Sequence, residues 1–147
     1  MSPEQIETFI QRLNTMFNKP DLTIADEILA RHFVGHVPMM PVLNRGSFIG
    51  FVESFYAAFP DFRQEIHDTV ITHDRAALRV TYHGTQRGDF LGIPATGCAV
   101  NIPTMSFFRV VDGLIVETWM EMDIFGLICQ ISSSTPLTFG RYLQSVN

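Results

Sequence analysis

The chain has 147 residues, 46% of them hydrophobic and 17% charged, and is long enough to bury a sizeable core. Its formal net charge of −5, with Lys and Arg scattered rather than clustered, argues against a nucleic-acid partner, which needs a basic footprint. No apolar run approaches the roughly 18 residues a membrane span requires. The amino terminus, Met1-Ser2-Pro3-Glu4-Gln5, lacks the basic and apolar regions of a signal peptide. Cys98 and Cys129 stand far apart and outside any CxxC pattern, so they read as reduced thiols and the expected location is cytoplasmic. With 13 Phe and 7 Met, the composition calls for a large apolar pocket or a buried subunit interface.

In chain order, Ser2, Pro3 and Gln5 open a first helix with a capping box, and Ile6, Phe9, Ile10, Leu13, Met16 and Phe17 form its apolar stripe. Asn18-Lys19-Pro20 ends it. A short second helix is expected from Thr23, with Asp26 and Glu27 in its first turn where they suit the helix dipole. Residues 32–37 read as a strand closed by Pro38, and residues 39–46 as an apolar loop placed to overhang a pocket mouth. A third helix spans residues 47–59, with Phe48, Phe51, Val52, Phe55 and Phe59 on its buried stripe and Pro60 at its end.

From residue 61 onward the pattern turns to strands, over residues 62–72, 76–86, 98–111 and 115–123, with a Gly- and Pro-dense loop at 88–97. Pro103 marks a bulge or an edge in the third of these. Asp112-Gly113 is a strong hairpin signal, and the strand after it alternates Ile115, Glu117, Trp119, Glu121 and Asp123 against Val116, Thr118, Met120 and Met122. Residues 125–132 make a helical turn, followed by a Ser- and Thr-rich tail. No repeat or domain boundary is visible, so residues 1–147 read as a single domain. Helices then antiparallel strands give an α+β layout, in which the helices cover one face of a curved sheet. The other sheet face is also rich in apolar residues, which implies a homodimer built through the sheet.

Several segments together resemble the SnoaL-like polyketide cyclases of the nuclear transport factor 2-like superfamily. They are Ala58-Phe59-Pro60-Asp61-Phe62, the loop Gly84-Thr85-Gln86-Arg87-Gly88-Asp89-Phe90-Leu91-Gly92-Ile93-Pro94-Ala95-Thr96-Gly97, the hairpin from Phe108 to Trp119, and Asp123-Ile124-Phe125-Gly126-Leu127 with Gln130. The resemblance implies a cone-shaped α+β barrel, with helices on a curved, mostly antiparallel sheet and a deep pocket between them, usually as a homodimer. It implies an intramolecular aldol-type ring closure on a small apolar organic carbonyl compound, with no metal or organic cofactor. By its place in the motif, Asp123 takes the role of general acid/base, and a histidine assists. No histidine lies in Met105-Ser106-Phe107-Phe108 beside it, so the helper comes from elsewhere: His36 ahead of the apolar loop, or His83, which shares a strand face with Arg79 and Thr81.

An aldol-type step needs a base for the proton α to the carbonyl and a donor for the enolate oxygen. A carboxyl group becomes a usable base where apolar surroundings disfavour its charged form, as Met122, Ile124 and Phe125 would around Asp123. The competing role for Asp123 is the N-cap of the turn that follows it. Glu117 and Glu121 read either as rim charges or as pocket acids, and Trp119 between them as packed against a helix or lining the cavity. The candidate substrate-binding residues are His83, Trp119, Glu121, Phe55 and Phe59. His67 and His73 read as exposed. His32 and His36 have the spacing of helical zinc ligands, but in a strand four residues span about 13 Å, too far for one ion. There is no Gly-x-Ser-x-Gly elbow, phosphate loop or dinucleotide fingerprint. The alternative to an enzyme is a non-catalytic small-molecule binding or dimerisation domain of the same fold.

Overall fold

In the computed structural model residues 1–18 and 22–132 are described; Lys19-Pro20-Asp21 and the tail after residue 132 lie outside the described residues. α1 (Pro3–Asn18) begins with the expected capping box: the Ser2 amide donates to Gln5 Oε1 at 2.7 Å, and the Gln5 amide donates to Ser2 Oγ at 3.3 Å. Phe9, Leu13, Met16 and Phe17 are its buried stripe, with Ile6 and Ile10 half-buried at the margin. The second helix is shorter than expected. Thr23 falls in a 3-10 turn (Leu22–Ile24), and α2 (Ala25–Ile28) is one turn long with no side-chain cap. A single turn is not stable by itself, so burial of Ala25 and Ile28 holds it in place.

β1 (Leu29–His36) is followed by β2 (Leu43–Asn44), a two-residue pairing within the expected loop. Asn44 then caps α3 (Arg45–Ala58), its side chain accepting from the Ser47 amide at 3.0 Å. Phe48, Val52 and Phe55 are buried on α3 and Phe59 is buried just beyond it. β3 (Arg63–Ile71), β4 (Arg75–Thr85), β5 (Ala99–Val111) and β6 (Leu114–Met122) form an antiparallel meander. β1 joins β6 in parallel, giving a mixed six-stranded sheet in the order β2-β1-β6-β5-β4-β3 that does not close on itself. The β5–β6 turn holds Asp112 at φ 50° and Gly113 at φ 77°; two successive left-handed residues are what a two-residue hairpin matched to strand twist requires.

Pro103 lies on β5 opposite Thr81 of β4, where a missing donor would break the ladder if it faced β4. It does not. The Pro103 carbonyl accepts from the Asp123 amide at 3.1 Å, on the side where β6 has just ended. Further along that vacated edge, α4 (Ile124–Ile131) supplies Gln130, whose side chain accepts from the Asn101 amide at 2.8 Å and donates to its carbonyl at 3.0 Å. An edge left open by a short strand is thus closed by one amide side chain.

The strict alternation expected in β6 breaks once. A register shift between Arg109 and Val110 leaves both Ile115 and Val116 buried. Beyond it the faces separate cleanly. Thr118, Met120 and Met122 point to the helices with Val80, Tyr82, Ser106 and Phe108. Glu117, Trp119 and Glu121 point the other way with Arg79, Met105 and Phe107.

Candidate active site

At one end of the helical side, residues 38–40, the α3 residues Gly50, Phe51, Ser54 and Phe55, Phe90 and Leu91 of the long loop, and Ile124 of α4 bound an apolar groove of about 360 Å³. Two of its rim residues, Met39 at φ 62° and Leu91 at φ 51°, have left-handed backbone although neither is Gly. Such conformations cost energy and persist where surrounding structure demands them, often at ligand sites. Met39 is 77% exposed and Leu91 54%, so apolar side chains stand at the mouth from both loops. Behind the groove lies a void of about 10 Å³, bounded by Phe17, Val52, Phe62, Tyr82, Met120 and Met122, with Phe51 and Phe55 lining both spaces. A hollow of similar size, about 380 Å³, lies between α1 and the β5–β6 turn, lined by Met1 and Phe9 together with Glu4, Gln5, Thr8 and Arg12.

Asp123 stands between the two apolar spaces in sequence: Met122 lines the void and Ile124 lines the groove. Its own side chain is exposed and caps α4, accepting from the Gly126 amide at 2.8 Å through Oδ1. Phe55 lines the groove directly. Phe59, fully buried, sits one layer back, with its ring 6.2 Å from Phe55 and 5.5 Å from Phe90.

The other candidates lie on the outer sheet face. Gly35 pairs with Thr118 and faces the helices, so its neighbour His36 faces out, opposite Trp119. The His36 ring stacks on Trp119 at 5.3 Å with the planes 6° apart, and Nε2–H donates to Glu117 Oε1 at 3.0 Å. Arg109 donates to the other Glu117 oxygen at 3.1 Å. His83 bridges Glu65 at 2.7 Å and Asn101 at 2.5 Å, and Glu121 is exposed. Trp119, 39% exposed, neither packs on a helix nor borders the groove. Four strand residues, about 13 Å, separate Trp119 from Asp123, so His36 and Trp119 come together while Asp123 stands apart from them.

Sequence reasoning passed over Tyr82, Gly50 and Phe90, while Met39 fell within the apolar loop expected at a pocket mouth. Tyr82 carried a usable signal, the alternation of Ala76, Leu78, Val80 and Tyr82 on the buried face of β4. Among the described residues, no group of three or more His, Cys, Asp or Glu is placed to hold a metal ion.

The half-buried His36–Glu117–Arg109 cluster carries a testable pH dependence. The His36 hydrogen bond, reinforced by Arg109, holds the Glu117 carboxyl below its ordinary value against the opposing pull of burial. The Glu65 carboxyl is lowered likewise, first by its bond to His83. A depressed carboxyl contributes stability that is present above its unfolded value of 4.5 and is lost as pH falls through the lower folded value. His36→Ala is therefore expected to flatten the fall in Tm between about pH 6 and about pH 3. Parallel melting curves for the two proteins would show that the pair contributes nothing.

Helices packed on a curved mixed sheet, with an apolar groove at one end, define the cone-shaped α+β class typified by nuclear transport factor 2. The SnoaL-like polyketide cyclase profile matches residues 7–131, and the chain belongs to that family. Among solved structures it is similar to IdmH, a candidate polyketide cyclase from Streptomyces antibioticus, with 30% identity over 86% of this chain and 97% of that one and a TM-score of 0.76. It is also similar in fold to AclR, a candidate hydroxylase from Streptomyces galilaeus (23% identity, 99% and 92% of the chains, TM-score 0.85). TsrD from Streptomyces laurentii is a third (24% identity, 90% and 98% of the chains, TM-score 0.81). None of the curated proteins compared matches the chain significantly.

Proposed function

We propose that the protein is a cofactor-independent enzyme of the lyase or isomerase class that binds a small apolar carbonyl compound in the groove and performs an aldol-type cyclisation or isomerisation. The observation that carries this reading is the apolar groove whose lining ends at Ile124, next to Asp123. In this reading Asp123 takes the proton α to the carbonyl, and Phe55, backed by Phe59, packs against the apolar body of the substrate.

Gly50 provides the test. It lines the groove, and a Cβ built there meets nothing within 4 Å. Gly50→Leu should fill the groove while leaving the fold intact, and should raise helix stability by up to about 1 kcal/mol. The expected result is loss of ligand binding and turnover on linear polyketide carbonyl compounds at an equal or higher Tm. Unchanged binding by a folded Gly50→Leu protein would remove the groove from the function.

A binding domain without turnover is the second reading, and the capping role of the exposed Asp123 carboxylate favours it. The outer sheet face supports the expected homodimer: Val70, Met105, Phe107 and Trp119 are all exposed there, and the partner would cover His36, His83 and Glu121. Trp119→Lys should shift sedimentation toward monomer; a wild-type protein that sediments as a monomer at all concentrations would remove this proposal. The free thiols of Cys98 and Cys129 are compatible with the expected cytoplasmic location.

A further inference from the structure

Among the described residues, three that are not Gly have a left-handed backbone: Met39 at φ 62°, Leu91 at φ 51° and Asp112 at φ 50°. Asp112 is accounted for by its residue type. It is exposed at the first central position of the β5–β6 turn, and Asp is among the few residues that tolerate this conformation. Leu and Met are not among them.

The turn around Leu91 has the same build as the one at Asp112. The Phe90 amide donates to the Ile93 carbonyl at 3.0 Å, and the Ile93 amide donates to the Phe90 carbonyl at 2.9 Å. Leu91 and Gly92 between them have φ 51° and 76°, against 50° and 77° at Asp112 and Gly113. One backbone shape thus occurs twice, with Asp in one copy and Leu in the other. The turn over residues 37–40 is of another kind and breaks the same rule. The Met40 amide donates to the Val37 carbonyl at 3.4 Å, Pro38 takes the second position, and Met39 takes the third, where a positive φ favours Gly or Asn.

Core packing accounts for neither side chain. Phe90 and Ile93 on either side of the Leu91 turn belong to the core or pack against it, whereas Leu91 is 54% exposed and Met39 is 77% exposed. What the two share is the groove: both line it, from different loops, and Asp112 does not. An apolar side chain in a disfavoured backbone and in contact with water lowers stability on both counts. That combination persists where something other than the fold uses the side chain.

We propose that Met39 and Leu91 are specificity-determining residues, two apolar lips that contact the outward side of the ligand and are kept at a loss of stability. This rests on the groove being the ligand site and adds what the ligand presents at the mouth. That side is uncharged and carries no group needing a hydrogen-bond donor, because neither side chain offers a donor or a counter-charge.

The probe is 2-acetylnaphthalene, an uncharged apolar carbonyl compound, titrated by fluorescence against the full chain alongside thermal melts. Met39→Asn and Leu91→Asn each introduce a residue that accepts the left-handed backbone. Each should raise Tm by about 2–4 °C and weaken binding by about 3- to 10-fold. The opposite signs are the signature, since a residue that only holds the structure would lose stability when replaced. Asp112→Asn, at the matching turn away from the groove, should leave both readouts at wild type. A Tm that does not rise, an affinity that does not fall, or equal changes in Asp112→Asn would overturn the inference. The groove would then still stand on its own test, the loss of binding in Gly50→Leu. If the wild-type protein does not bind 2-acetylnaphthalene at all, the groove reading fails and this inference fails with it.

Discussion

Asp123→Asn is expected to abolish turnover, by about 10²- to 10⁴-fold, while leaving thermal stability within a few tenths of a kcal/mol of wild type. Asp123→Ala is expected to abolish turnover and also to cost about 1 kcal/mol. The pair of substitutions separates two roles that coincide in one carboxylate. The cap uses Oδ1, which accepts from the Gly126 amide at 2.8 Å, and Asn can replace it there because its side-chain oxygen accepts equally well. A base needs an oxygen that takes up a proton, and Asn has none. In the cap geometry Oδ2 is left for that purpose, and the flanking residues Met122 and Ile124 border the void and the groove. Ligand affinity should hardly change in the Asn variant, because charge on Asp123 is not what binds an apolar body. Wild-type turnover by Asp123→Asn would reduce Asp123 to a helix cap, and the protein would then be a binder of the same fold.

The strands and the main helices were legible because their signals are local. Asp112-Gly113 dictates a hairpin through the two positive φ angles it alone tolerates well, and the Phe and Met stripes of α1 and α3 follow helical spacing. The capping box at Ser2 and Gln5 is equally local. What failed to show was anything depending on which side of the sheet a strand presents. His36 read as a pocket residue because it precedes the apolar loop, and Trp119 as packed or pocket-lining because it stands between Glu117 and Glu121, yet the parity of β1 against β6 turns both outward. A one-residue shift of phase would have reversed this, and periodicity carries no phase relative to a distant helix. The groove was hinted at by the apolar loop, but its second rim, Leu91, belongs to a loop about fifty residues away. Asp123 could not be assigned because the residue type suited to a cap is also the one suited to a base.

The mouth and the outer face divide the exposed apolar surface into two parts with different backbone geometry. At the mouth, Met39 and Leu91 are held in costly backbone conformations by opposite loops, and the surface between them is concave. On the outer face, Val70, Met105, Phe107 and Trp119 stand on regular strands interleaved with the ion pairs Arg79–Asp68 and Arg109–Glu117. Regular backbone carrying apolar groups and paired charges suits contact with another folded surface, where register must be specified as well as area buried. Irregular backbone around a hollow suits a small molecule. The high Phe and Met content is thus divided between a concave groove and an exposed sheet face.

Phe55→Ala is expected to be the most damaging of the single substitutions considered, costing about 3–5 kcal/mol and lowering Tm by about 10 °C or more. Phe55 joins the two halves of the helical side. Its ring lies 5.2 Å from Phe51, 6.2 Å from Phe59, 5.7 Å from Phe62 and 5.0 Å from Phe90, which ties α3 to the start of β3 and to the long loop. Removing it takes a surface from each of four aromatic neighbours, and the void behind it gives the rest of the core little to collapse onto. The comparison is Phe125→Ala: that ring is 60% exposed on the first turn of α4, and its loss should change stability by no more than about 0.5 kcal/mol. Equal effects on the two melting temperatures would mean that the aromatic cluster does not hold the groove wall. A large loss at Phe55 alone fits a wall that is both core and pocket lining.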